Sequence, residues 1–140
     1  MFLVDTNVIS EARKGMRADP GVIAFWQQAA SNDSPIFLAA VTIGELRRGI
    51  ELIRHRGDRQ QAMLLEQWLQ RVLSDFGDRV LSLDGEAAQV WGRLRVPNSR
   101  HAIDKQIAAI ALLHRLTVVT RNVADFASCG VALVNPFAVG

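Results

Sequence analysis

Short apolar runs of strand type alternate with longer stretches of helical periodicity along the whole chain, and that alternation admits few folds. Phe2-Leu3-Val4, Ile36 to Ala40, Val80 to Leu83, Leu116 to Thr120 and Val131 to Val134 read as five strands. Val22, Ile23, Trp26 and Ala30 mark a helix behind Asp19-Pro20, where Asp19 can cap and Pro20 suits the first turn. From Thr42 a helix runs through Leu46, Ile50 and Ile53 until Gly57 breaks it. Its partner covers about Arg59 to Phe76, with Met63, Leu65, Leu69 and Val72 as core candidates. Asp84 is placed to cap the helix of Val90, Trp91 and Leu94. After a turn at Pro97-Asn98, Ile103, Ile107, Ile110 and Leu113 mark the next helix. Strands joined through helices run parallel, because a parallel pair needs a long crossover. The expectation is one α/β domain over residues 1–140, with a mainly parallel sheet of about five strands and helices on both faces.

Composition narrows the function classes. The apolar runs are a few residues long, against the roughly 20 that a membrane helix needs. Asp5 interrupts the opening apolar run and no positive residue precedes it, unlike a signal peptide. The lone cysteine, Cys129, has no intramolecular disulfide partner, which suits a reducing cytoplasm. Net charge is only +2, yet basic residues gather at Arg47, Arg48, Arg54, His55, Arg56 and Arg59, and again at Arg93, Arg95, Arg100, His101 and Lys105. Solvated helix faces account for such clusters, and so does a polyanionic partner.

The acids carry more information. In open parallel sheets, ligands bind at the carboxyl ends of the strands. Asp5 follows the first strand directly, Glu45 lies just past the second, and Asp125 follows the fourth. Asp104 opens the helix leading into that fourth strand. If this helix starts at the same rim, four carboxylates share one small space. Like charges raise one another's pKa, and a hard cation relieves the conflict. Mg²⁺ takes oxygen ligands and keeps several waters, so a few carboxylates are enough. His55, His101 and His114 show no ligand spacing with Cys129 or with each other, so zinc is not indicated.

Each acid also has a structural reading. Thr42-x-x-Glu45 matches a capping box, Asn122-x-x-Asp125 has the spacing of a cap on a short helix, and Asp104 suits a helix N-terminus. Asp5 is harder to assign this way, because Thr6 and Asn7 beside it can serve as caps. Asp84 also follows a strand but reads as a plain N-cap and is left out of the site.

Four segments together resemble the acidic motifs of PIN domains. They are Phe2-Leu3-Val4-Asp5-Thr6-Asn7-Val8-Ile9-Ser10, Val41-Thr42-Ile43-Gly44-Glu45-Leu46-Arg47-Arg48-Gly49, Asp104-Lys105-Gln106-Ile107-Ala108-Ala109, and Thr120-Arg121-Asn122 through Asp125-Phe126. The closing Asn135-Pro136 is also typical, and the helical hairpin around Gly57 looks most like the FitB-like branch of VapC toxins. The resemblance implies a three-layer α/β/α sandwich and an endoribonuclease dependent on Mg²⁺ or Mn²⁺ and active on structured RNA, of the tRNA or rRNA class. It also implies a homodimer and a VapB-type antitoxin partner that binds DNA. By matching positions, Asp5, Glu45, Asp104 and Asp125 form the metal site, with Thr6, Asn7, Thr120 and Asn122 as polar support. Arg47, Arg48, Lys105 and Arg121 are candidate RNA contacts. Lys105 stands where the family often carries a small residue, and the sequence leaves it as an RNA contact or a solvent-facing cation. A phosphatase of the haloacid-dehalogenase type wants a second aspartate where Asn7 stands. The remaining rival is a catalytically silent PIN-like module that binds RNA or protein.

Overall fold

The computed structural model describes residues 1–138. The sheet contains β1 (Phe2–Val4), β2 (Ile36–Ala39), β3 (Val80–Leu81), β4 (Thr117–Val119) and β5 (Leu133–Val134), in the order β3-β2-β1-β4-β5. All four pairings are parallel, so the mainly parallel sheet expected from sequence is parallel throughout. β1 is central, with Phe2 opposite both Ile36 of β2 and Thr117 of β4. The chain builds outward through β2 and β3, then crosses to the other side of β1 to add β4 and β5. That reversal opens a crevice at the carboxyl ends of β1 and β4, where doubly wound sheets bind ligands.

Period-2 alternation divides the core between the two faces. Val4, Leu38 and Val119 pack on one face, with α1 (Thr6–Ala12), α2 (Pro20–Ser31), α3 (Ala40–His55) and α4 (Arg59–Phe76). Leu3, Ala39 and Val118 pack on the other, with α5 (Gly85–Leu94), α6 (Ala102–His114) and α7 (Val123–Phe126). Two layers of helices around one sheet make the expected three-layer sandwich. No helix among the described residues is long and apolar enough to cross a membrane.

Several helix ends form as their residues dictate. Asp19 accepts from the amides of Gly21 and Val22 and starts α2, with Pro20 in its first turn. Asp84 accepts from Ala87 N, so its reading as a plain cap holds. Gly57 at φ +94° turns the α3–α4 hairpin, where an L side chain would be strained, and Asp58 then caps α4.

The elements differ from the sequence expectation mainly as follows. The strand read over Val80 to Leu83 pairs only at Val80 and Leu81, and β5 covers only Leu133 and Val134 of the expected Val131 to Val134. Helix α1 carries no propensity signal, since Thr, Asn, Val, Ile and Ser are indifferent helix formers. It forms because Asp5 caps it and Val8 and Ile9 bury against the sheet.

Candidate functional site

The site starts from Asp5, the residue after β1. Its backbone amide donates to the Val119 carbonyl of β4 at 2.9 Å, so the two strand ends are tied together at this point. Its side chain is almost completely buried. Oδ1 accepts from Thr6 N at 2.8 Å, and Oδ2 accepts from Thr120 Oγ1 at 2.8 Å and Asn7 Nδ2 at 3.2 Å. Although Thr6 and Asn7 beside it could serve as caps, Asp5 is itself the N-cap of α1. One oxygen caps the helix while the other is held from the opposite strand. Burial pushes the Asp5 carboxyl above the ordinary aspartate range, against the lowering effect of these hydrogen bonds, and the charge of Asp125 adds to the rise.

Asp104 occupies the first turn of α6 and its side chain is 23% exposed. Its pKa is raised to about 6, first by burial and then by the charges of Asp5 and Asp125, with Glu45 contributing less and His101 opposing. The charges of Asp5, Asp125 and Glu45 therefore all act on Asp104. Asp125 sits in α7, and its amide bonds the Asn122 carbonyl.

Glu45 lies on α3, but the capping box expected for it does not form. The helix begins at Ala40, two residues before Thr42, with Ala39 at the cap position and no side-chain cap. Thr42 is therefore inside the first turn and fully buried. Thr6 Oγ1 donates to its hydroxyl at 3.4 Å. Thr42, read from sequence only as the cap of a capping box, is instead a buried partner of Thr6, a role with no signal in the local sequence.

The polar residues interlock. Thr120 Oγ1, with no solvent exposure, donates to Asp5 and accepts from Asn122 N at 2.9 Å and Asn7 Nδ2 at 3.2 Å. Asn7 Oδ1 in turn accepts from Arg121 N at 3.1 Å. Asn122 contributes through its backbone, and its exposed side chain makes no cap.

The basic candidates separate. Arg47 reaches Glu66 of α4 through both guanidinium ends, Nη1 to Oε1 at 2.7 Å, and also meets Glu51 at 3.2 Å. It is a brace of the α3–α4 hairpin rather than a free cation, and the pair holds Glu66 down at about 2. Lys105 is only 5% exposed, and Nζ donates to the Asn98 carbonyl. Neither a solvent-facing cation nor an RNA contact describes it, because the ammonium is consumed in holding the loop before α6. Arg121 is exposed and stacks over the Phe137 ring at 3.8 Å. Arg48 is exposed on α3.

His101, which the spacing argument set aside, stands among the acids. Its Nδ1 lies 3.9 Å from Asp104 Oδ2 and its Nε2 4.0 Å from Asp125 Oδ1. One atom from each of His101, Asp104 and Asp125 falls within a mutual 4.8 Å, a spacing fit for a metal ion. Three-residue separation from Asp104 across a helix start was the available sequence signal.

Comparison with known proteins identifies the family and the fold. The PIN domain family model matches residues 2–128. The chain is 35% identical to Toxin FitB of Neisseria gonorrhoeae over 98% of its own length and 99% of that protein. It is 31% identical to VapC ribonuclease Y4jK of Sinorhizobium fredii, covering 98% of each. Among solved structures, FitAcB from Neisseria gonorrhoeae superposes with a TM-score of 0.83 at 33% identity, over 97% of this chain and 98% of that one. A toxin-antitoxin complex from Klebsiella pneumoniae superposes at 0.69 with 25% identity, over 99% of this chain and 100% of the other.

Proposed function

The chain belongs to the PIN-domain family, in the FitB-like branch of VapC toxins, and from that membership we propose that it is a metal-dependent endoribonuclease and the toxin of a toxin–antitoxin pair. In this reading residues 1–140 form a single domain of that type. The observation that carries the reading is the meeting of Asp104 and Asp125, which offer carboxylate oxygens within 4.8 Å of each other, with the buried Asp5 held at the end of β1, a crowding that raises the Asp104 pKa to about 6. Such a set, all oxygen and more negative than it can comfortably remain, fits a hard divalent cation.

Asp5, Glu45, Asp104 and Asp125 would hold Mg²⁺ or Mn²⁺. When bound, the ion supplies an activated water and offsets charge at the phosphodiester being displaced. The chain's own residues do the rest. Thr120, Asn7 and the Thr6 amide fix both oxygens of Asp5, so this carboxylate is presented in one orientation. Thr6, whose hydroxyl is tied to the buried Thr42, would be a contact for metal-bound water or a phosphate oxygen. Exposed Arg48 and Arg121 serve as phosphate anchors for an RNA strand approaching the rim. A structured RNA of the tRNA or rRNA class is the substrate, and the cytoplasm the compartment.

The partner reading extends to a VapB-type, DNA-binding antitoxin and to a homodimer of the toxin. Support for the first comes from an apolar groove of about 370 Å³ between α1, α2 and α4, lined by Ile9, Val22, Ile23, Trp26, Trp68 and Phe76. The indole N–H of Trp26 in its wall is buried without a partner among the described residues. A groove of this kind takes the apolar face of a helix, and the antitoxin is the occupant.

The test is cleavage of total bacterial RNA by the purified protein with Mg²⁺ or Mn²⁺ against EDTA, beside Asp5→Asn. Asparagine keeps the cap of α1 and removes the charge. Discrete metal-dependent products, reduced at least ~100-fold in the variant, are expected by comparison with the losses seen for lesser ligand-shell changes. A folded Asp5→Asn protein with full activity, contaminating nuclease excluded, would sink the site. A folded wild-type protein that binds metal and RNA but cuts nothing would leave the silent binding module.

A further inference from the structure

The four acids of the proposed centre leave His101 unexplained. It sits at the N-cap of α6 with φ +56° and ψ +46°, in the left-handed region that non-glycine residues seldom adopt. The flanking loop is fastened on both sides. Lys105 Nζ bonds the Asn98 carbonyl, Asn98 Oδ1 accepts from Arg100 N at 2.8 Å, and Trp91 Nε1 donates to the Ala102 carbonyl at 2.9 Å. These bonds hold the imidazole with one nitrogen toward Asp104 and the other toward Asp125, while 47% of the side chain stays open to solvent. At 3.9 and 4.0 Å the contacts are too long for hydrogen bonds. One ring nitrogen of His101 and one carboxylate oxygen from each of Asp104 and Asp125 nevertheless lie within 4.8 Å of one another, close to the separations of about 3.0–4.2 Å between ligands about 2.1 Å from one ion.

Resting on the metal-centre reading above, we propose that His101 is a nitrogen ligand of that centre, shared with Asp104 and Asp125, and that it biases the site towards transition ions such as Co²⁺ and Zn²⁺ relative to Mg²⁺. The physical basis is ligand softness. Carboxylates and water suit Mg²⁺, whereas imidazole favours the later first-row ions, whose affinity for a given site also rises along the series. The alternative role, an imidazolium that merely balances two carboxylates, makes the opposite demand, because an arriving cation would then have to displace it.

Two measurements on the full chain decide between them. The first is titration calorimetry of Co²⁺ and of Mg²⁺ into wild type and His101→Asn. Asparagine tolerates the left-handed backbone and offers a hard oxygen in place of the nitrogen. The variant is expected to lose about tenfold or more in Co²⁺ affinity, the lower end of losses for altered ligand shells, with a smaller change for Mg²⁺. The second needs no variant. The imidazole ¹⁵N spectrum contains only His55, His101 and His114, and diamagnetic Zn²⁺ should shift one nitrogen of His101 alone. An unchanged Co²⁺ to Mg²⁺ ratio in His101→Asn, or Zn²⁺ binding that leaves the His101 nitrogens in place, overturns the assignment and spares the acidic centre. A wild-type protein that binds none of the three ions overturns both.

Discussion

Thr120 Oγ1 donates to Asp5 Oδ2 at 2.8 Å, joining residues 115 positions apart in the chain. The same hydroxyl accepts from Asn122 N and Asn7 Nδ2. Replacing it with valine keeps the shape and strips three hydrogen bonds from a buried site. Thr120→Val should cost about 1–3 kcal/mol in denaturant unfolding, the penalty for stranding buried polar groups. Metal affinity should fall with it, because Asp5 loses its orienting donor. Thr120→Ser restores the hydroxyl and should recover most of both.

The Asp104 pKa makes the metal-free protein sensitive to pH in a defined direction. Folding raises the carboxyl from an ordinary value of 3.8 to about 6. A raised folded-state pKa favours the fold fully below the unfolded value, and this contribution is lost as pH rises through about 6. Asp104→Asn should therefore raise the Tm of the protein in EDTA at about pH 7.5 and leave it nearly unchanged at about pH 3.5. A variant less stable than wild type at the higher pH would contradict the crowded-carboxylate account.

Arg47 and Arg48 are adjacent in sequence and divergent in role. Arg47 is engaged by Glu51 and Glu66, and Arg48 is exposed. Arg47→Ala should lower thermal stability slightly and leave the salt dependence of RNA binding intact. Arg48→Ala should leave stability intact and reduce the slope of log affinity against log salt by about 0.7 to 0.9 per lost phosphate contact. Filter binding across a salt series, with a catalytically inactive background, separates the two.

Gly21 has no room for a side chain. A Cβ there would lie 2.1 Å from the Pro136 carbonyl oxygen and 2.8 Å from Ala138 N. That amide is also held by Asp19 Oδ1 at 2.9 Å, so the closing segment is clamped on the start of α2. Gly21→Ala should destabilise by about 1–3 kcal/mol, the usual range for overpacking, and expose the segment to limited proteolysis.

The apolar groove yields a prediction independent of catalysis. Ile23 is half-buried in its wall. Ile23→Glu places a charge there and should weaken co-purification with a co-expressed antitoxin while RNA cleavage by the free protein persists. Equal recovery of the complex would move the partner to another surface.

The layers were legible in the sequence because they follow from the alternation of strands and helices, and the four candidate acids were proposed from their positions relative to strand and helix ends. Asp5, Glu45, Asp104 and Asp125 each stand one short step from a strand or helix start. What escaped the sequence depends on partners far along the chain. Thr42 and Glu45 had capping-box spacing, but tertiary burial of Thr42 started α3 earlier. Lys105 looked like a surface cation until the Asn98 carbonyl supplied a buried acceptor. His101 lacked any ligand spacing in one dimension, since its companions are Asp104 on its own helix and Asp125 beyond the next strand. Helix α1 depended on a cap and a buried face rather than on propensity.

The central placement of β1 also sets a clock. Its partner β4 is paired through Phe2↔Thr117, so β1 leaves a ribosome 115 residues ahead of a strand it pairs with. At bacterial rates of up to about 20 residues per second, and slower elsewhere, that interval is on the order of 5–25 s. Until it ends, Asp5 has no Thr120 to hold it and the crevice between β1 and β4 does not exist. On the nuclease reading proposed above, the acidic site cannot assemble before β4 docks, and a partner translated alongside the chain gains time to be present when it does.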